Sequence, residues 1–586
     1  MLGITNFFLA TLAAASAVSA TPPSYHKPGP TSTPSASVLA NNETHFNPAI
    51  PGWHSDPSCV FVPEQNGTTF CTSSSFLLTP GLAVHASKDL ASWKLASHAM
   101  NRKSQYPDYD LSLSQTDGIW AATIRYHQGT FYIITIYRKA NTTASISTGL
   151  IFHTTDIYSD QAWSDPIVYN AEYIDPDLFW DDDGTAYVAT AGTYLQTVNL
   201  TTGVFSNATH ISNGTTGLFL EGPHLYKKDG FYYLLVAEGG SGVNHTVTIS
   251  RSNGSIWGPY VNDALDPILT AVNTTNYFQN VGHADLFSDV RGNWWACALS
   301  WRSGPQVTTY PMGRETVITP ATWGKGAWPV ISPVTGIESA WSLPASRNLP
   351  GNGPFVDQPD VINFAPNSSM PAHFGFWRWP DTSAYTISPP GHPNTLRLTP
   401  SAGSITTAAA SYIDGYAVTN YTLVMRLQTD TLFQYNIDLS YKPQVAGDEA
   451  GVTVFLNQVQ NINLGITLLP SNTTGASNGT AASNSTLTPY LRFIVSGGGS
   501  HQPDVPGPEY MPIPEAWQQA PIRLIIRAVN QTHYVLSAAS TLALYDEYAI
   551  GTAPGVVVSG GDGDFTGMPE FITSCHTMPR LLTLRF

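Results

Sequence analysis

Five segments of the chain repeat one arrangement of hydrophobic and polar positions. Each begins with a polar or acidic opening, continues as a short apolar strand, turns at an Xaa-Gly pair and returns as an aromatic-rich strand. Such pairs favour tight hairpins because glycine accepts positive φ. The copies begin about 50 to 65 residues apart, which fits one four-stranded blade each and predicts a five-bladed β-propeller. The copies begin at His54, Trp120, Ile174, Glu221 and Gly282, and their turns are Asn66-Gly67, Gln128-Gly129, Asp183-Gly184, Asp229-Gly230 and Arg291-Gly292.

The pattern changes after the fifth repeat. From about Phe364 the chain alternates apolar and polar residues in strand-length runs such as YTLVMRLQT and AGVTVFLNQ, and it has no helical period of useful length. This predicts an all-β chain in which a β-sandwich follows the propeller. Residues 342–360 are rich in Pro and Gly, so we assign 45–341 to the propeller, 342–360 to a linker and 361–586 to the sandwich. The low-complexity stretch 471–486 is expected to be a glycosylated surface loop.

The N-terminus indicates secretion. Residues 1–20 contain an apolar stretch too short to cross a bilayer and end in small residues, which is typical of a signal peptide. Residues 21–44 are a Pro/Ser/Thr-rich lead-in. The chain also carries many Asn-Xaa-Ser/Thr acceptors, so we expect a secreted, extracellular glycoprotein. These acceptors include Asn66, Asn141, Asn207, Asn244, Asn273, Asn420, Asn472 and Asn484.

Composition narrows the class of partner. The net charge is −16 with only 11% charged residues, which argues against binding to nucleic acid or to an anionic membrane. The chain has 15 Trp, 28 Tyr and 24 Phe. Most of these aromatic rings are expected to fill sheet cores, but some could present their faces to sugar rings. A neutral partner is the more natural expectation.

The four cysteines do not form a disulfide scaffold for a chain of this length. Cys59 and Cys71 flank the first hairpin and could pair across it in an oxidising compartment. Cys297 and Cys575 lie far apart in sequence and could be free thiols. No CxxC pair or His/Cys cluster indicates a zinc site.

Three carboxylates open three of the repeats: Asp56, Asp175 and Glu221. Because equivalent positions of a propeller meet at its axis, these side chains are expected to share one cavity. Converging acids repel one another, which raises at least one pKa and leaves another group ionised. Glycoside hydrolysis needs such a set of one protonated and one ionised carboxyl group. We assign Asp177 and the run 181–183 instead to turn chemistry ahead of Gly184.

At these residues the chain resembles glycoside hydrolase family 43, which contains β-xylosidases and α-L-arabinofuranosidases. The resemblance rests on ordered blocks that span the whole predicted propeller, and the C-terminal region is similar to the concanavalin A-like β-sandwich of exo-acting members. The blocks are NPAIPGWHSDPS (47–58), SKDLASW (87–93), IWAATIRYHQGTFY (119–132), YIDPDLFWDDDG (173–184), EGPHLYKKDGFYYLLVAEGG (221–240), VGHADLFSD (281–289) and MGRET (312–316).

The resemblance implies a role for each candidate site residue. Asp56 matches the general base, Glu221 the general acid, and Asp175 the third carboxylate that raises the pKa of the acid and orients it. The implied reaction inverts the anomeric centre. Other matched positions are Arg314, which would reach the innermost sugar, Phe76 and Trp120 as aromatic walls, and His283, the axial histidine, which in some members lies near a calcium ion. No cofactor is required by this scheme, and calcium is an open alternative.

Two positions depart from the family pattern. Ala122 stands where the family usually has proline, which could loosen the start of that strand. The tail MPEFITSCHTMPRLLTLRF (568–586) lacks the expected glycine- and tyrosine-bearing finish. We therefore expect an altered C-terminus that leaves the sandwich short of a strand.

The sequence thus predicts a secreted, exo-acting, inverting glycosidase that removes terminal β-D-xylosyl or α-L-arabinofuranosyl residues from oligosaccharides of xylan and arabinoxylan. Two alternatives remain open at this point. One is a fructan hydrolase on the same five-bladed plan, although WHSDPS (53–58) and Glu221-Gly222 match its expected motifs poorly. The other is a carbohydrate-binding propeller without activity, which the retention of all three acids argues against.

Overall fold

The structure is a computed structural model that describes residues 45–111, 116–139, 146–303, 308–338, 340–341, 343–401, 403–406, 421–471, 486–497, 504–560, 569–576 and 582–585. The predicted signal peptide, the lead-in and most of the predicted glycosylated loop lie outside these ranges. The described residues are strands, loops and short 3-10 helices, as predicted. None of the described helices is long and apolar enough to cross a membrane. The 3-10 helices are Pro63–Gln65, Lys103–Gln105, Pro107–Leu111, Asp160–Ala162, Thr382–Ala384, Glu515–Gln519 and Gly555–Val558.

The first part of the described chain is a five-bladed propeller in which every blade is an antiparallel sheet. Blade 1 contains Ser58–Val62, Thr68–Thr72, Gly81–Ser87 and Lys94–Met100, and blade 2 contains Gly118–His127, Thr130–Lys139, Ile146–Thr154 and Ile167–Asn170. Blade 3 contains Asp177–Trp180, Ala186–Thr190, Tyr194–Asn199, Val204–Phe205 and Thr209–His210. Blade 4 contains Glu221–Lys228, Phe231–Glu238, Thr246–Asn253, Val261–Asn262 and Leu269–Thr270. Blade 5 contains Phe278–Ser288, Trp294–Arg302, Glu315–Thr322 and Val330–Ile331.

The inner hairpin of each blade turns where the Xaa-Gly pairs predict it. The glycines of all five pairs have positive φ, between 63° at Gly67 and 86° at Gly129. In the run 181–183, Asp181 and Asp183 serve the turn, because their carboxylates accept from the N–H groups of Asp182 and Thr185, each at 2.8 Å. Asp181 and Asp182 also pair with Lys227. Ala122 lies within the strand Gly118–His127, at a bulge in its pairing with Thr130–Lys139 between Trp120 and Thr123.

The two ends of the propeller meet. His45–Phe46 pairs with Ile337–Glu338 in an antiparallel ladder, so the strand that precedes blade 1 is bound to the strand that follows blade 5. Blade 1 is also braced internally by a disulfide between Cys59 and Cys71, which face each other across the first hairpin. Both connections hold blade 1, which carries Asp56, in a fixed place on the axis.

Two antiparallel sheets form the sandwich. One has the strand order Glu509–Pro512, Leu487–Gly497, Gln460–Pro470, Glu449–Asn457, Pro569–His576, Thr422–Leu427, Phe374–Trp377 and Leu78–Thr79. The other has the order Tyr385–Ile387, Leu396–Leu398, Leu582–Arg585, Gln434–Ser440, Ile522–Asn530, His533–Ser540 and Tyr548–Pro554. Apolar residues of both sheets belong to one buried cluster, as the facing sheets of a sandwich require.

The expectation of a sandwich short of a strand is wrong. The tail supplies one interior strand to each sheet, since Pro569–His576 lies between Glu449–Asn457 and Thr422–Leu427 and Leu582–Arg585 lies between Leu396–Leu398 and Gln434–Ser440. Backbone hydrogen bonds do not require a particular side chain, so an unusual tail sequence can still complete both sheets.

The sandwich is joined to the propeller next to the axis. Leu78–Thr79, in the connection that follows Ser73–Phe76 of blade 1, pairs with Phe376–Trp377 and becomes the edge strand of a sandwich sheet. One hydrophobic cluster runs through both parts and includes Phe70 and Ile133 of the propeller together with Leu464 and Phe493 of the sandwich. The wall of the axial cavity in blade 1 is therefore supported from behind by the sandwich.

Candidate active site

The opening of every blade contains one residue in the left-handed backbone region. The inner strands of blades 2, 4 and 5 are also bulged at this point. Positive φ is unfavourable for residues other than glycine, and a bulge redirects the side chain next to it. The same local distortion in five blades turns five openings toward the axis. These residues are Asp56 (φ 53°), Ala121 (42°), Asp175 (55°), Gly222 (50°) and His283 (47°).

The openings surround one cavity at the end of the axis. All seven residues that the sequence singled out line it, and they come from all five blades. The cavity is lined by Asp56, Phe76, Trp120, Asp175, Glu221, His283 and Arg314, together with Ala121, Ile174, Ser241 and His245. The structure therefore brings together side chains that are up to 258 positions apart, as between Asp56 and Arg314.

Asp56 is held as a carboxylate. The hydroxyl of Ser74 donates to its Oδ2 at 2.6 Å and accepts from the N–H of Ala121 at 2.7 Å. Burial acts to raise the pKa of Asp56, but His283, Arg314 and hydroxyl hydrogen bonds outweigh it, so the pKa is lowered. Burial lowers the pKa of His283 to about 4, so this ring is neutral at pH 7. Arg314, whose Nη1 lies 3.5 Å from Oδ1, and the hydroxyl of Ser74 therefore keep Asp56 ionised.

Asp175 and Glu221 differ from Asp56, because their surroundings raise their pKa values. Burial raises the pKa of both carboxyl groups, and repulsion from Glu221 and Asp56 raises that of Asp175 further. The N–H of Gly222 donates to Oδ2 of Asp175 at 3.0 Å, which ties this carboxyl group to the strand that carries Glu221. Each of these environments favours the protonated form of its carboxyl group.

His283 lies between the carboxylates and the interior of the axis. Its Nδ1 is 3.5 Å from Oδ1 of Asp56, and its ring centroid is 6.4 Å from that of His224. The ring also lies against Gly222, where an added Cβ would come within 2.7 Å of it. Only glycine leaves room for this imidazole beside the strand of Glu221.

Aromatic rings form one wall of the cavity. Phe76 is 2% exposed and stacks on Trp53 at a centroid distance of 4.7 Å, and it contacts Trp120 at 5.9 Å. The guanidinium of Arg138 lies 4.8 Å from the centre of the Trp120 ring. The backbone of Phe76 exchanges hydrogen bonds with Ile119, so the ring is attached to blade 2 as well as to blade 1. This rigid apolar wall suits the C–H face of a sugar.

A second layer of polar side chains lies beneath the cavity, centred on Arg125. Its Nη2 donates to Asp177 at 2.6 Å and its Nη1 donates to Asp285 at 2.7 Å, while Nδ1 of His224 lies 3.0 Å from Nη2. Both aspartates are fully buried. The assignment of Asp177 to the turn before Gly184 is therefore wrong, because its buried side chain pairs with the guanidinium of Arg125.

Sequence reasoning missed Ser241 and His245, which line the cavity, and Ser74, which hydrogen-bonds Asp56. It also missed Arg125 and its partners below. The repeat contains a usable signal for the lower layer, because in four of the five copies the paired position stands two residues after the opening residue. These positions are Ser58, Asp177, His224 and Asp285, with Arg125 four residues after Ala121. Ser74 and Ser241 lie in connecting loops, where the repeat has no fixed spacing.

Comparison with known proteins agrees with this arrangement. Residues 46–329 match the sequence model of glycosyl hydrolases family 43, and residues 361–481 match that of the β-xylosidase C-terminal concanavalin A-like domain. A crystal structure of xylan β-1,4-xylosidase from Bacillus halodurans C-125 superposes with a TM-score of 0.76 at 26% identity, over 92% of this chain and 98% of that one.

Two curated relatives carry related names. The non-reducing end α-L-arabinofuranosidase of Bacteroides ovatus is 32% identical over 438 residues, which cover 74% of this chain and 77% of that protein. Xylosidase/arabinosidase 43B of Humicola insolens is 33% identical over 323 residues, which cover 52% of this chain and 57% of that protein. The chain therefore belongs to glycoside hydrolase family 43 and is a glycoside hydrolase built from a five-bladed β-propeller and a C-terminal β-sandwich.

Proposed function

We propose that the protein is a secreted, exo-acting, inverting glycosidase that releases terminal β-D-xylosyl or α-L-arabinofuranosyl residues from oligosaccharides of xylan and arabinoxylan. One observation carries this proposal. Asp56, with a lowered pKa, shares a cavity with Asp175 and Glu221, whose pKa values are raised. Carboxyl groups whose environments push their pKa values apart are suited to act as base and acid in one reaction.

In the proposed reaction, Asp56 accepts a proton from a water molecule as the water oxygen attacks the anomeric carbon. The glycosidic bond breaks at the same time, and Glu221 gives its proton to the leaving oxygen. Asp175 acts through Glu221, since a neighbouring carboxyl group favours the protonated acid. The cycle ends when the proton taken by Asp56 is lost to solvent and Glu221 takes up another.

The choice between the two sugars rests on the relatives. Their names include xylosidase, arabinosidase and arabinofuranosidase, so both a pyranose and a furanose are candidates here. The same names argue against the fructan alternative, and family membership argues against a propeller that only binds carbohydrate. An exo mode agrees with a cavity at the end of the axis that has an aromatic wall on one side.

The proposal is tested by the initial rates on 4-nitrophenyl β-D-xylopyranoside and 4-nitrophenyl α-L-arabinofuranoside. We expect hydrolysis of at least one, and a first-formed free sugar of inverted anomeric configuration by proton NMR. No hydrolysis of either substrate would overturn the assignment of sugars. A first product with retained configuration would overturn the roles of Asp56 and Glu221.

We also propose that the reaction needs no metal ion. Among the described residues, no group of three or more His, Cys, Asp or Glu side chains is arranged to hold one. The carboxylates of Asp177 and Asp285, which face the axis below His283, are bound to the guanidinium of Arg125. A calcium ion at that place would meet a fixed positive charge, so these residues do not fit it.

Removal of divalent cations should therefore leave the enzyme unchanged. After treatment with EDTA and dialysis, kcat/KM and the midpoint of thermal unfolding are expected to stay within about 1.5-fold and 1 °C of their initial values, because Arg125 supplies the axial charge. Addition of calcium chloride should have no effect, with sodium chloride of equal ionic strength as the control. A loss that calcium restores and sodium does not would contradict the proposal.

Secretion is part of the same proposal. Its support is the apolar N-terminal segment together with the positions of the glycosylation acceptors. Of the acceptor asparagines named above, four lie in the part of the chain that the structure describes, and all four are exposed: Asn66, Asn207, Asn244 and Asn273. Glycans at these positions could be accommodated without unfolding the propeller.

A further inference from the structure

The chain just before Glu221 leaves two large apolar side chains in solvent. Leu218 is 60% exposed and Phe219 is 70% exposed. Phe219 also has a φ of 50°, a left-handed conformation that is unfavourable for a bulky residue. Burial of the ring does not compensate for this backbone cost. Strained residues with no packing role tend to occur where a ligand is bound.

The exposure of these residues does not come from a loose loop. The buried carboxylate of Glu238 accepts from the N–H groups of Thr215 and Thr216, each at 2.7 Å, and from the hydroxyl of Thr248 at 2.8 Å. At Gly214, whose φ is 61°, an added Cβ would come within 2.3 Å of the Leu220 side chain and 2.7 Å of Oε1 of Glu238, so the turn packs closely against both. The segment that precedes Leu218 is thus held in place by hydrogen bonds to the buried carboxylate of Glu238.

Phe219 packs against a segment that leads into the cavity. The carbonyls of its two neighbours, Leu218 and Leu220, accept from Gly239 at 3.2 Å and from Gly192 at 2.7 Å. The Phe219 ring lies 3.6 Å from the position of a Cβ on Gly240, so it rests on that glycine. Gly240 is followed by Ser241, which lines the cavity.

The backbone of Ser241, which follows Gly240, is bound by a residue that lines the cavity. The Nη2 of Arg314 donates to the carbonyl of Ser241 at 3.4 Å. Phe219 is therefore placed against a segment that is bound to the same arginine as Asp56. A chain of contacts through Gly240, Ser241 and Arg314 thus connects the ring to Asp56.

We propose that Phe219, with Leu218 beside it, is the platform on which the leaving-group sugar of the oligosaccharide stacks. This rests on the proposed function, in which Glu221 protonates the leaving oxygen. The departing residue must then lie on the Glu221 side of the cavity, where the chain that leads into Glu221 presents these apolar faces. An aromatic ring held in place against the C–H face of a sugar binds it with little loss of side-chain entropy.

The test compares a substrate whose leaving group is a sugar with one whose leaving group has no ring. For Phe219→Ala we expect kcat/KM to fall about fivefold to tenfold on xylobiose, or on the corresponding arabinofuranosyl oligosaccharide. On the glycosyl fluoride of the same sugar, kcat/KM should stay within about twofold, because fluoride makes no stacking contact. Phe219→Trp should keep both values within about twofold of the wild type.

Tyr545→Ala is the matched control, since this ring is 88% exposed and lies in the sandwich. It should leave both substrates unaffected. Equal losses on the oligosaccharide and the fluoride, or no loss on the oligosaccharide, would overturn the platform while leaving the glycosidase intact. A wild-type enzyme that hydrolyses neither the xylosyl nor the arabinofuranosyl fluoride would overturn the proposed function, and the platform with it.

Discussion

Replacement of Asp56 by Asn should reduce kcat/KM by about 10³-fold or more on every substrate, whatever its leaving group. The amide keeps the shape of the carboxylate and tolerates the positive φ of this position better than Ala would. It cannot take a proton from the attacking water, and that step is common to all substrates. The measurement is kcat/KM on a nitrophenyl glycoside, an oligosaccharide and a glycosyl fluoride.

Asp182→Asn is the matched control for this variant, because its side chain is 86% exposed and lies outside the cavity. It should retain full activity. The thermal transition of Asp56→Asn shows whether the propeller is folded. A folded Asp56→Asn enzyme that keeps more than about a tenth of wild-type activity on any substrate would exclude Asp56 as the base.

Replacement of Glu221 by Gln should have an effect that depends on the leaving group. On an oligosaccharide we expect a loss of about 10³-fold, because a sugar alkoxide is a poor leaving group without a proton donor. On a nitrophenyl glycoside or a glycosyl fluoride the loss should be about tenfold or less, since these groups leave without protonation. The ratio of the two losses is the measurement that identifies the acid. Equal losses on all three substrates would undo the assignment.

The pH profile gives an independent check on Glu221. The proposed reaction needs Asp56 ionised and Glu221 protonated, so kcat/KM falls below the pKa of Asp56 and above that of the Asp175–Glu221 pair. The first pKa is lowered and the second is raised, which widens the active range on both sides. In Glu221→Gln the alkaline limb should disappear on the nitrophenyl substrate, and Glu64→Gln, an exposed site in blade 1, should retain it.

Most of the upper layer of the site follows from local pattern. The Xaa-Gly turns set the blade period, and the residues that open the blades then fall at one level of the axis. Asp56, Asp175, Glu221 and His283 could therefore be identified from their place in the repeat together with the family motifs. The backbone distortion that turns them inward recurs in each blade, so the position of a residue in the repeat is enough to place it at the cavity.

The lower layer could not be predicted in the same way. In the sequence, Arg125 lies in a predicted strand and resembles an ordinary exposed arginine. Asp177 stands near a predicted turn, and a turn is a sufficient reason for an aspartate at that position. Only the closed propeller shows that Asp177 is fully buried, that Arg125 is mostly buried, and that Nη2 of Arg125 lies 2.6 Å from Oδ1 of Asp177. A buried charge needs a partner, and the identity of that partner depends on which blades face each other across the axis.

The sequence by itself determined the five blades, the sandwich, the disulfide candidate and the three carboxyl groups, because each depends on spacing within a short segment. Tertiary structure alone decided that the tail completes both sandwich sheets, that Leu78–Thr79 of the propeller joins one of them, and that Arg125 occupies the axis. It also decided that Phe219 rests on Gly240, next to the cavity-lining Ser241. These features are contacts between segments far apart in the chain, and such contacts form only when the blades and sheets have closed on one another.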